Sequence, residues 1–177
     1  MIFLFLPVTT LITSVIVFKW APEASGAGSE SYIKAFHYQQ SIIKPKVTVI
    51  KFISSTLNLG AGTSGGMEGP IVLIGAGIGS FVAQKIKILK KDIQIYMISG
   101  TAAGIGAVFL APLGGALTAI EMLYREDYET KALVPSLVAS VMGYFTAILF
   151  GVEGFRVRAL EYTFNGIREI PVYILFT

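Results

Sequence analysis

A single carboxylate stands where an otherwise membrane-like sequence has least tolerance for charge. From Phe52 to Gln84, a run of 33 residues, Glu68 is the one charged side chain. It lies in the glycine-rich loop Gly60-Ala61-Gly62-Thr63-Ser64-Gly65-Gly66-Met67-Glu68-Gly69-Pro70. A charged side chain at mid-bilayer depth costs roughly 2.5–3.5 kcal/mol on insertion scales. A helix N-terminus offsets only about 0.3–1 kcal/mol of that, or about 2 when partly buried. Glu68 is therefore expected to face water, a partner or a permeating ion. Pro70, followed by Ile71-Val72-Leu73-Ile74-Gly75, reads as a helix start, since proline suits a first turn whose N–H groups lack partners anyway. The free amides of that turn would point at an anion. Glu68 is itself an anion and could compete for the same place; its plain alternative is a capping carboxylate.

Other reactive patterns are weak. Gly60-Ala61-Gly62-Thr63-Ser64-Gly65 matches the spacing of a dinucleotide fingerprint, and Val47–Ile53 could pass for the preceding strand. Gly69-Pro70 follows within five residues, however, and the stretch from Val82 lacks the acidic residue such a site needs for ribose. A phosphate-binding loop is excluded by the missing Gly-Lys-Ser/Thr. Glu121 lies four residues before Arg125 and reads first as half of a helical ion pair. His37, the one histidine, reads as an interfacial residue. With no cysteine there is neither a disulfide nor a thiolate metal site, and no nucleophile–base or metal-ligand arrangement stands out. An enzyme and a cofactor are not expected. The net charge of +3 is too modest to suggest nucleic acid.

The elements that must position Glu68 are membrane helices. Apolar residues make up 54% of the chain and charged ones 14%, against about 25% charged in soluble domains. Mean hydropathy is +0.70. Uncharged stretches at Met1–Phe18, Ile93–Ile120 and Ala132–Val152 approach or exceed the roughly 20 residues of a spanning helix. The first eighteen residues lack the basic start of a secretory signal. The chain begins in one apolar run and stops in another, Ile170–Thr177, so it is expected to be part of a larger protein. Lysines and arginines counted by the positive-inside rule place Lys19–Lys51, Lys85–Lys91 and Arg125–Lys131 in the cytoplasm and Glu153–Glu169 outside.

That orientation makes 52–84 enter and leave on the same side. Phe52–Leu59 and Ile71–Gln84 would then be half-length helices meeting at the glycine loop, a break that survives only when buried in protein or lining a cavity. Ile93–Tyr124 repeats the arrangement, broken around Ala111-Pro112-Leu113-Gly114-Gly115. Broken helices aimed at a midplane site are a device for holding anions. Gly75-x-x-x-Gly79, Gly100-x-x-x-Gly104 and Ala103-x-x-x-Ala107 predict close helix crossings.

Gly66-Met67-Glu68-Gly69-Pro70 with Ile74-Gly75-Ala76 resembles the gating-glutamate motif of the CLC chloride channel and transporter family. Ala102 through Gly115, and on to Ile120-Glu121-Met122-Leu123-Tyr124-Arg125, resembles that family's next broken helix pair. Ala21-Pro22-Glu23 and Gly26-Ala27-Gly28 sit where the family has its first anion-binding turn. The resemblance implies an all-α, multi-pass membrane protein, with 1–177 as the first of two inverted halves of a transmembrane domain. By that likeness, the backbone amides of Gly26, Ala27, Gly28, Gly66, Met67, Glu68 and Gly69 would bind chloride or a similar anion, and Glu68 would gate it. It further implies a homodimer with one pore per subunit, surrounding membrane lipid, the C-terminal half as partner, and a place in the plasma membrane. Three positions depart from the pattern. Ala27 replaces the pore serine, Met67 the basic residue before the gate, and Met122 the second glutamate of proton-coupled members. Met122 therefore favours a channel over a proton-coupled exchanger.

Overall fold

The computed structural model describes residues 2–124 and 130–152. It holds seven α-helices among those residues: α1 Ile2–Trp20, α2 Ser29–Tyr38, α3 Pro45–Gly60, α4 Glu68–Lys85, α5 Ile93–Phe109, α6 Pro112–Glu121 and α7 Thr130–Leu149. Short 3-10 turns at Pro22–Ala24 and Lys90–Asp92 lead into α2 and α5. Arg125, Tyr128, the 153–169 cluster and the run 170–177, all used in the sequence reading, lie outside the described residues.

Glycine dictates how the helices meet. A Cβ on Gly75 would strike the Gly100 carbonyl, and one on Gly79 would strike that of Tyr96, so α4 and α5 touch backbone to backbone. Gly143 of α7 meets the Ala103 carbonyl in the same way, and Gly106 of α5 lies against Ser140. The buried interior is correspondingly rich in small residues, including Ala76, Ala83, Ala102, Ala116 and Ala119. Large apolar side chains face outward instead: Leu11, Phe18, Val134, Met142 and Phe145 are exposed. In hydrocarbon, helix association relies on such close small-residue contact rather than on burial of bulky groups. Lys131–Leu149 alone among the described residues is both long and apolar enough to cross a bilayer as one helix.

Both expected breaks are present. Residues 61–67 separate α3 from α4, and Leu110, in a left-handed conformation (φ 51°, ψ 37°), together with Ala111 separates α5 from α6. Proline opens α3 and α6, at Pro45 and Pro112.

The arm before the glycine loop is longer than expected. It runs from Pro45, not Phe52, and at 16 residues it is about 24 Å long. The expectation failed because it treated lysines as loop markers. Lys46 and Lys51 lie inside α3, and Lys51 falls on its buried stripe with Val47, Ile50 and Ser54. Nor is 19–51 a simple loop: it contains α2, whose Tyr32 is fully buried. Val47–Ile53, a possible strand in the nucleotide-binding alternative, is helical.

Candidate functional site

Two helix N-termini converge on Glu68, and neither carries a side-chain cap. In α2 the first intrahelical bond is Tyr32 N–H to the Gly28 carbonyl (3.1 Å), so the amides of Ser29, Glu30 and Ser31 lack intrahelical acceptors. In α4 the first is Ile71 N–H to the Met67 carbonyl (3.0 Å), leaving Glu68 and Gly69 in the same state.

The two turns are pressed together. Gly28, at φ 117°, has no room for a Cβ against the Gly69 carbonyl, and Gly69 has none against Ala27. Only glycine combines that φ with that approach. A Cβ on Gly66 would run into the Glu68 carboxylate, which therefore lies back over the Gly66 backbone.

Two cavities meet at this point. The first, about 650 Å³, is lined by the Ser25–Ala27 turn, Thr13, Lys51, Ser54, Ser55, Asn58, Gly66, Glu68, Gly69 and Pro70, among others. Its wall is polar. Thr13 Oγ1 lies 2.9 Å from Asn58 Oδ1, tying α1 to α3, and Ser55 Oγ donates to the Lys51 carbonyl at 2.7 Å. The second, about 420 Å³, is mostly apolar and is lined by Val72, Ile105, Phe109, Ala111, Gly114, Gly115, Thr118 and Met122, with Ser29 and Glu68. Ser29 and Glu68 are the two residues common to both. The uncapped start of α6 also reaches the second cavity, through Ala111 and Gly114. Tyr32 holds α2 to α6 by donating its hydroxyl to the Ala119 carbonyl at 2.8 Å.

Lys51 is the functional candidate that sequence reasoning missed. It is 5% exposed, and its ammonium donates to the carbonyls of Gly26 (2.6 Å) and Ala24 (3.3 Å). A signal was available, since Pro45 marks a helix start and Val47, Ile50, Lys51 and Ser54 have the spacing of one helical face. Of the residues expected at the anion site, Gly26, Ala27, Gly66, Glu68 and Gly69 line the first cavity. Gly28 is buried behind it, and Met67 is exposed outside both. Met122 is half-buried in the second. His37 packs edge-on against Phe36, with Nε2 3.2 Å from the Leu123 carbonyl.

A family model described as voltage gated chloride channel matches residues 9–176. The chain belongs to that family. Among its relatives, an uncharacterised protein of Methanocaldococcus jannaschii is 33% identical, over 97% of this chain and 42% of that protein. The H(+)/Cl(-) exchange transporter ClcA of Citrobacter koseri is 32% identical, over 89% of this chain and 30% of the transporter. The crystal structure of a CLC-type fluoride/proton antiporter superposes with a TM-score of 0.78 at 23% identity, covering 97% of this chain and 42% of that one, and shares the fold. This chain thus spans less than half the length of these relatives. The expected all-helical, multi-pass CLC fold is the observed one.

Proposed function

We propose that this chain supplies the gate and part of the pathway for a small anion crossing a membrane, as the first half of a CLC transmembrane domain. The observation that carries this reading is the position of Glu68. It lies at two uncapped helix N-termini and borders two cavities at once. Helix N-termini attract anions through their free N–H groups and dipole. The Glu68 carboxylate and a permeating anion are alternative occupants of that field. Backbone amides of Gly26–Gly28 and Gly66–Gly69 hold the anion in this account, chloride or a similar monovalent ion. No cofactor is needed, since moving an ion between sites makes and breaks no covalent bond. The protein works as a homodimer in the plasma membrane, contacting lipid through the exposed apolar faces of α1 and α7.

Proton-coupled exchange is the second reading, because ClcA is named as an H(+)/Cl(-) exchange transporter. Against it stands Met122, which lines the same cavity as Glu68 and cannot carry a proton. The test of the main reading is chloride efflux from proteoliposomes holding the protein expressed from its complete reading frame. Efflux above that of empty liposomes is expected; efflux indistinguishable from theirs would refute anion transport.

A further inference from the structure

We propose that the segment where α4 passes into α5, Lys85–Lys91, is a docking surface for anionic phospholipid. It reads Lys85-Ile86-Lys87-Ile88-Leu89-Lys90-Lys91, with four ammonium groups and no carboxylate. All four lysines are exposed, and so are the interleaved Ile86 (55%) and Leu89 (65%). Among the described residues no carboxylate comes within 4 Å of these lysines; the ion pair that does form joins Lys44 to Glu23.

The helix leading into the cluster is apolar on the same side. Ile78, Phe81, Val82 and Lys85 have the spacing of one helical face, and all four are exposed. The other faces of α4 are taken. Gly75 and Gly79 press on α5, Gly77 lies against Thr48 of α3, and Ser80 bonds Ser41 and Ile43 in the link between α2 and α3. A partner for the open face must meet an apolar stripe and, at its end, a cluster of cations. A phospholipid offers an acyl chain and then an anionic headgroup in that order. Long lysine stems reach from the apolar boundary to the headgroup level.

The backbone holds the cluster in place. Ile88 N–H bonds the Ala83 carbonyl (3.0 Å) and Lys87 N–H that of Gln84 (3.2 Å), the paired closure of a helix C-terminus. The closing position is left-handed (φ 57°), where glycine is the usual residue, yet it holds Lys87. A charge thus stands where backbone preference favours none.

The test is thermal unfolding of the purified protein from its complete reading frame in neutral detergent, titrated with phosphatidylglycerol or phosphatidylcholine. Lipid that binds the folded state raises the unfolding temperature by mass action. Phosphatidylglycerol should stabilise the parent more than phosphatidylcholine, and the difference should vanish in about 1 M salt, where screening acts within about 3 Å. Its half-saturating mole fraction should rise about fivefold in Lys87→Gly and at least about fiftyfold with all four lysines changed to glutamine. Without lipid, Lys87→Gly should unfold no lower than the parent, because glycine suits that φ; this variant therefore decides the matter should the quadruple one fail to fold. Unchanged half-saturation in Lys87→Gly would overturn the proposal. So would equal response of the parent to the two lipids, the result expected if an acidic protein segment covers the lysines. The same stabilisation by glycerol phosphate, which has no acyl chains, would also overturn it.

Discussion

Glu68 and Met122 border one apolar cavity, reached from the start of α4 and the end of α6. Thr118, one helical turn before Met122, lines it as well. A proton bound for the Glu68 carboxylate through this space would meet a thioether, which has no exchangeable proton. Glu121, one residue away, does not line the cavity, consistent with the 100° turn between successive helical residues. The proposed reading therefore predicts passive anion movement. With a chloride gradient imposed on proteoliposomes, internal pH should stay at its passive value. Uphill proton movement at a fixed ratio to chloride would show that another acidic group replaces the residue at 122.

Gly28→Ala should damage the fold as well as the site. The new methyl group would meet the Gly69 carbonyl at a φ of 117°, where an L-residue is already strained. Overpacking of this kind costs roughly 1–3 kcal/mol, and the backbone conformation about 1–2 more. Gly26→Ala, at φ 73° with open space around its Cβ, should show only the smaller cost. Thermal unfolding in detergent compares the two. Equal loss would mean that the α2 and α4 turns are not in contact.

Tyr32 caps α6. The Ala119 carbonyl is one of the last four of that helix, which lack intrahelical donors, and the buried Tyr32 hydroxyl supplies one. Tyr32→Phe should cost about 1–3 kcal/mol by leaving that oxygen unsatisfied. The same unfolding measurement applies; a change near zero would mean that another donor reaches the carbonyl.

How much of this was legible beforehand depended on which residues carried unambiguous physical signals. The breaks at 61–67 and at Leu110 were marked by glycine and proline, which act locally on the backbone. The α4–α5 crossing was marked by Gly75, Gly79 and Gly100, whose small size has one main use between membrane helices. Lys51 was misread because lysine carries two opposite meanings near a membrane. Most lysines stay in water and report orientation, whereas this one is drawn inward by two carbonyls that are 25 and 27 residues away in sequence. No local pattern reports a bond of that span. That Ser29 and Glu68 line the same two cavities was hidden for the same reason, since it arises only where α2 and α4 meet.

The central claim is that Glu68 competes with the permeating anion, and Glu68→Gln tests it most directly. The side chain is exposed to the cavities, so the substitution should change stability by no more than about 0.5 kcal/mol. Glutamine cannot imitate an anion. Chloride efflux from proteoliposomes, followed at several pH values, should be faster in the variant than in the parent and nearly independent of pH. Equal efflux with the same pH response in both proteins would contradict the account and remove Glu68 from the gate.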